Sequence, residues 1–365
     1  MAGSSERPAY EFVDMNTTGP GAVLTAFANQ VAYCEASDAP ITARVVAGIA
    51  AVLRSGAHGE FLNRVRDWQG APLADALPLR VAGGLHALFL SGAAPRLGPL
   101  YRGEPANDPD VIAAAIATDE AAMLPWLDGP PQTNEAGRSA NFIAAMLWLA
   151  SRGLPARFQC LELGSSAGIN LMLDRYSYNL GGVQIGPDPA VMRFEPLWQG
   201  ISPPQQAIAI AATKGCDVAP VDLTNASDAM RLRAYIWPEH AIRFARLDAA
   251  VRAALERRPH LVQATAADFV EAELVKPQDA GTTRMLMHSI VWQYLPTDQQ
   301  GRVTAAMEAA GAHATSDRPL AWVKVEADRS VHRHKLTVRH WPDGASEVHL
   351  AWSHPHGAAI EWIVD

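Results

Sequence analysis

From residue 156 onward, short apolar runs alternate with amphipathic ones, and that alternation constrains the fold more than any other feature of the chain. FQCLELG is followed by a helical pattern over 168–176, QAIAIAATKGCD by one over 226–235, and HLVQATAADF by a short one. RMLMHSIVWQYLP is followed by a helical pattern over 297–310, and LAWVKVEA closes the series. Strands that alternate with helices read as a parallel sheet with right-handed crossovers, because each crossover packs its apolar face back on the sheet. The end of the chain breaks the rhythm. KLTVRHWPDGASEVHLAWSHPHGAAIEWIVD holds two or three strand-like runs with Asp-Gly at a bend, the mark of an antiparallel β-hairpin. Before residue 150 only helical periods occur, from TAFANQVAYCEA and ITARVVAGIAAVLRS through LPLRVAGGLHALFLSG and DPDVIAAAIATDEAAMLPWL to NEAGRSANFIAAMLWLASR. The expected architecture is α/β, with a helical N-terminal cap domain over residues 1–150 and a sheet domain over 151–365 that carries an insertion at about 180–205.

Composition narrows what such a fold serves. Of 365 residues 49% are hydrophobic, enough for a real core, and 38 acidic against 30 basic side chains leave a net charge of −8. An acidic balance without a run of Lys or Arg excludes nucleic-acid binding as the main task and fits a small or neutral partner. The opening MAGSSERPAYEF lacks the basic, apolar and small-residue layout of a signal peptide. No run of about 18 uncharged apolar residues marks a membrane span, so the expectation is a cytoplasmic protein. Cys34, Cys160 and Cys216 are scattered and odd in number, which indicates neither a disulfide framework nor a thiolate metal site; they read as buried thiols.

The chemistry concentrates in CLELGSSAGIN, residues 160–170, a strand that turns through small residues into an amphipathic run. A dinucleotide fingerprint needs glycines at 164, 166 and 169, where the chain has Gly164, Ser166 and Ile169. A phosphate loop needs Gly-Lys-Ser/Thr where Ile169, Asn170 and Leu171 stand. What remains, Glu162-Leu163-Gly164-Ser165-Ser166-Ala167-Gly168, resembles the first motif of class I S-adenosylmethionine-dependent methyltransferases. The resemblance implies a Rossmann-like methyltransferase sheet with S-adenosyl-L-methionine as cofactor. Glu162 would take the ligand's ammonium, and Gly164, Ser165, Ser166 and Gly168 would let the backbone approach it. The following helix, opened by Ile169 and Asn170, would meet the ligand's carboxylate. Ser166 replaces that family's usual middle glycine.

Later segments resemble the same family in order. Its second strand ends in an acid that binds the ribose; GCDVAPVDL offers Asp217, the favoured residue, and Asp222. Ala267-Asp268-Phe269 looks like the third motif, where an acid accepts from the adenine amino group beside an apolar wall. MLMHSIVWQYLP looks like the strand and turn over the reaction centre, with Gln293-Tyr294-Leu295-Pro296 as the closest match. The implied reaction is methyl transfer to a small acceptor, with His288 as first candidate for a base and Tyr294 and Glu326 behind it. A protein that binds S-adenosylmethionine or S-adenosylhomocysteine without transferring anything is the alternative, and a metal-dependent hydrolase using the histidine-rich end is a third. A second resemblance covers nearly the whole chain. QTNEAGR, LELGSSAGINL with DRYSY after it, and HPHG look like a bacterial family catalogued as a domain of unknown function, number 2332, which implies architecture and no activity.

Three further clusters stand out. Gln132, Thr133, Asn134, Glu135 and Arg138 open the helix that leads into the first strand. They read either as an N-cap with a Glu135–Arg138 pair, or as a roof that brings Asn134 and the Arg138 fork to the ligand. Asp174, Arg175, Tyr176 and Tyr178 read as the close of the motif's helix. His332, His334, His340, His349, His354 and His356 crowd the C-terminal end. His-x-His on a strand points both rings one way, yet no Asp, Glu or Cys is spaced to complete a tetrahedron, so a polar strand face and no metal are expected.

Overall fold

The computed structural model describes residues 15–331, 333–342, 344 and 346–364; His332 and the Asp343 of the Asp-Gly bend lie outside them. The chain forms two compact units, one of residues up to 133 with 226–245, the other of 134–225 with the residues from 246 on.

The first unit is helical, with its longest helices at Ala22–Ala36, Pro40–Arg54, Leu77–Leu90 and Asp108–Thr118. Along Pro40–Arg54 the residues Val45, Val46, Ile49, Val52 and Leu53 are buried, which turns one broad stripe to the core. That core gathers Phe27, Ile49, Phe61, Leu77, Leu85, Leu100 and Ile112. Segment 226–245 completes it from far along the chain. The Glu239 carboxylate accepts from the Ile41 and Thr42 amides at 2.6 and 2.9 Å and from Thr42 Oγ1 at 2.8 Å. It thereby satisfies first-turn donors that the helix itself leaves unpaired. Tyr235 meets Trp126 edge-on at 5.3 Å, and His86 Nδ1 lies 3.0 Å from the Ala234 carbonyl. A single break near residue 150 was expected instead.

The second unit holds the strands β1 (Arg157–Leu163), β2 (Tyr176–Leu180), β3 (Val183–Ile185), β4 (Met192–Phe194), β5 (Leu197–Gln199) and β6 (Ala209–Asp217). It continues with β7 (Leu261–Gln263), β8 (Thr283–Ser289), β9 (Leu320–Asp328), β10 (Arg333–Trp341), β11 (Val348–Ser353) and β12 (Ala359–Trp362). Nine of these form one sheet in the order β5-β12-β11-β10-β9-β8-β1-β6-β7, and β3-β2-β4 form a small second one. The block β9-β8-β1-β6-β7 is parallel throughout. Beyond it β10, β11 and β12 add antiparallel strands, and β5 pairs parallel with β12. From β1 the chain steps to β6 and β7 on one side, then returns to β8 and β9 on the other. The switch point of this α/β sheet therefore lies between β1 and β8.

Three expectations are corrected by local structure. The run after the Gly-rich turn is not an α-helix over 168–176 but a 3-10 turn, Ile169–Arg175, broken at Met172. Tyr176 and Tyr178 do not close a helix; they alternate inward along β2, which is a strand period. Their hydroxyls donate to the Ile169 and Leu173 carbonyls at 2.8 and 3.1 Å and so pin the 3-10 turn from outside. Second, the helix opening at Asn134 begins only at Ser139, after a 3-10 turn Ala136–Arg138 whose Gly137 amide is capped by Glu135. Residues 139–149 of that helix are buried on every side, which is why its sequence shows no polar face. Third, the C-terminal end is a meander of β10, β11 and β12, longer than one hairpin. Among the described residues no single helix is long and apolar enough to cross a membrane.

Candidate functional site

Register assigns the polar residues at the carboxyl ends of the strands to two faces. Glu162 pairs with Gly215 and Met287, so Glu162, Met287 and Asp217, two residues past Gly215, share one face. Leu163 pairs with His288, which pairs with Lys324, so His288 and Glu326 share the other.

On the first face Glu162 is 2% exposed. Asn170 Nδ2 donates to its Oε1 at 3.1 Å, while Oε2 has no partner among the described residues. Burial pushes its carboxyl up to about 7, against the lowering pull of hydrogen bonds from Asn170 and Ser165 and of the Arg138 charge. Asn170 Oδ1 and Asn141 Oδ1 are buried acceptors without partners as well. The Gly-rich turn is tied down from three sides. Asp217 Oδ2 accepts from the Ser166 amide at 2.9 Å, and Asn134 Oδ1 accepts from the Ile169 amide at 3.0 Å. The amides of Ser165 and Gly168 donate to the Cys216 and Ser165 carbonyls. These four donors are spent inside the protein, so the expected cradle of helix N-terminal amides is replaced by a self-satisfied turn. Gly164 and Gly168 hold φ of +61° and +70°, and a Cβ on them would sit 2.3 Å from Val291 Cγ2 and 2.7 Å from Pro259 Cβ. Protein fills the space expected to serve backbone approach to a ligand. Ser166, φ +52°, and Ile290, φ +54°, hold strained backbone at the ends of β1 and β8, and such strain gathers at functional sites.

The segment 134–138 meets the HPHG run at this edge. Arg138 Nε donates to the Pro355 carbonyl at 2.8 Å, and a Cβ on Gly357, φ +68°, would lie 2.2 Å from the Gly137 carbonyl. Glu135 Oε1 accepts from Arg246 Nη1 at 3.0 Å. Burial and the Arg138 charge hold His334 below its usual value, and the His354 and His356 rings are 5.6 Å apart. Thus the three sequence runs QTNEAGR, LELGSSAGINL and HPHG come together. Gly137, Gly357, Asn141 and Arg246 were missed; the two glycines stood inside runs already singled out.

On the opposite face His288 is wholly buried, with Nδ1 2.6 Å from Glu326 Oε1. Trp292 stacks on its ring at 5.2 Å and Trp322 lies at 6.1 Å.

Other expected residues lie elsewhere. Tyr294 is 69% exposed on the 3-10 turn Trp292–Tyr294. Asp268 does not end a strand: it stands in the first turn of the helix Ala266–Leu274, where Thr265 caps its amide and Arg302 binds its carboxylate at 2.7 Å. Phe269 is buried in the core beneath that helix. Asp222 closes a turn through the Thr224 amide and hydroxyl and pairs with Arg258 at 3.3 Å. Asp174 pairs with Arg257, and Arg175 with Glu256. Cys34, Cys160 and Cys216 are buried and unbridged, their thiols pushed up by burial. Among the described residues no three His, Cys, Asp or Glu side chains are grouped to hold a metal ion.

Fold and site together define an α/β protein whose buried polar cluster lies at the carboxyl edge of a mostly parallel sheet. The chain belongs to the bacterial family described as "Uncharacterized protein conserved in bacteria (DUF2332)", whose model matches residues 25–362. No curated protein matches it.

Proposed function

We propose that the protein binds S-adenosylmethionine at the carboxyl edge of β1 and transfers its methyl group to a small acceptor, on a Rossmann-like methyltransferase sheet. One observation carries the reading: a carboxylate, Glu162, is buried beside the switch point with an oxygen left unpartnered. Such an acceptor costs about 1–3 kcal/mol unless a donor reaches it, and an ammonium supplies that donor with charge. The strand order third-second-first-fourth-fifth agrees, because ligands of open α/β sheets lie outside the carboxyl ends at the switch point.

The residues fit the cofactor in part. Glu162 suits its ammonium, and Asp217 keeps lone pairs for a ribose although each of its oxygens already accepts one amide. The amide cradle for its carboxylate is spent, and in this reading Arg138, the cation acting on Glu162, takes that role. The cofactor supplies an activated methyl group; the chain orients it, excludes water and removes a proton from the acceptor where one must leave. A protein that only binds the cofactor is the alternative.

Isothermal calorimetry and thermal shift with S-adenosylmethionine and S-adenosylhomocysteine test the reading. Binding at micromolar Kd is expected, with a rise in Tm that grows with ligand concentration. No heat and no shift at millimolar ligand, with the protein folded, sink it. Asp217→Asn should weaken binding about ten- to a hundredfold, while Asp222→Asn leaves it unchanged; the reverse result moves the ribose to Asp222.

A further inference from the structure

The His288 side of the sheet carries two polar groups that the cofactor does not use. The Glu326 carboxylate only accepts: Oε1 takes the Val291 and Trp292 amides at 3.2 and 3.3 Å and faces His288 Nδ1 at 2.6 Å. Nδ1 therefore carries its hydrogen, and in the neutral ring Nε2 is a lone-pair acceptor. Among the described residues Nε2 has no partner, and neither does the buried donor Trp322 Nε1. The His288 and Trp322 ring centroids are 6.1 Å apart, and that of Trp292 lies 5.2 and 5.5 Å from them, so the three rings pack together. Val291 and Leu295 pack against the hydrophobic cluster that holds Trp322, and Lys324 Nζ lies 4.0 Å from the Trp322 ring centroid.

We infer that this aromatic cluster receives the hydroxyl group of a flat, apolar acceptor of phenol type, its O–H donating to His288 Nε2 and its oxygen accepting from Trp322 Nε1. A hydroxyl is the smallest group that offers one donor and one acceptor on a single atom. Displacement of Trp292 admits the ring, which then stacks where the indole lay. The His288 imidazole takes the hydroxyl proton onto Nε2 and becomes an imidazolium held by Glu326, and the oxygen keeps the electron pair of the broken O–H bond. Glu326 is thus a positioning residue rather than a rival base, and Tyr294 has no part. The site lies on the face opposite Glu162, so the inference does not rest on the methyl-transfer reading and is tested without cofactor.

Phenol is the probe, with anisole, which lacks the hydroxyl hydrogen, as control. Titration of the ¹⁵N-histidine-labelled protein should show the Nδ1–H tautomer at His288 and a shift of its Nε2 resonance on phenol binding. Phenol should bind at least tenfold more tightly than anisole. Glu326→Gln should move His288 toward the Nε2–H tautomer and remove that preference in a folded protein. His288→Gln should remove it too, and if that variant does not fold, Glu326→Gln and the wild-type tautomer still decide. Equal binding of phenol and anisole, binding of neither, or an Nε2–H tautomer in the wild type overturns the inference. Because S-adenosylmethionine is absent from this titration, its failure leaves the cofactor's own calorimetry to stand or fall separately.

Discussion

Glu162 is held in a state that opposes stability, and a measurable sign follows. Its carboxyl lies at about 7 in the folded protein against an ordinary 4.5, chiefly through burial. Between those values the folded protein keeps a proton that the unfolded chain has released. Stability is therefore full below about 4.5 and is lost as pH rises toward 7, by about 3 kcal/mol in total. Glu162→Gln removes the ionisation while keeping an acceptor for Asn170 Nδ2. The variant should melt several degrees above the wild type at pH 8 and close to it at pH 5, yet bind S-adenosylmethionine about ten- to a hundredfold more weakly. A variant that melts lower at both pH values would make Glu162 a structural residue. Its place at a site was legible in the sequence, because an acid before a Gly-rich turn is a local pattern. The lone oxygen was not, since the burial of a carboxylate is set by tertiary packing and not by neighbours in sequence.

At the scale of elements, the carboxyl edge is a set of turns that hold one another. Asn134 supplies the acceptor for Ile169, and Gly357 lies on Gly137. Asn134→Ala leaves a half-buried amide unpaired, and a loss of about 1–3 kcal/mol is expected in a urea melt. Gly357→Ala combines a positive φ with a Cβ driven against backbone, and should cost about 2–5 kcal/mol. If Gly357→Ala melts like the wild type, the HPHG run is not clamped on the 136–138 turn as described. Sequence periodicity located these elements unevenly. The parallel strands were evident because apolar runs flanked by helical periods have few other solutions. The stretch 168–176 was misjudged as helix because Met172 and Leu173, three and four residues after Ile169, fit a helix as well as a 3-10 turn. The alternation of Tyr176, Tyr178 and Leu180, which marks a strand, was short enough to be overlooked.

At the scale of the whole molecule, the helical unit is not a contiguous piece of chain. It takes 226–245 from between β6 and β7, and that segment provides the Glu239 cap and the Tyr235 contact to Trp126. A fragment of residues 15–133 alone should therefore keep helical far-UV circular dichroism, lose its near-UV signal and bind a hydrophobic dye. A sharp cooperative melt of that fragment would show that 226–245 is dispensable. The sequence by itself determined the α/β class, the all-helical start, the order of the parallel strands along the chain and the Gly-rich turn after β1. Each of these is written in spacings of a few residues, which act through local backbone geometry and the facing of apolar side chains. Only the tertiary structure decided that QTNEAGR and HPHG meet at the edge of β1, that Glu162 and His288 stand on opposite faces, and that 226–245 belongs with the N-terminal helices. Those facts depend on sheet register and on contacts between distant residues, 197 positions apart from Thr42 to Glu239 and 217 from Arg138 to Pro355. No local period encodes such a contact, because it forms only when the burial of a whole core makes up for the entropy of closing so long a loop.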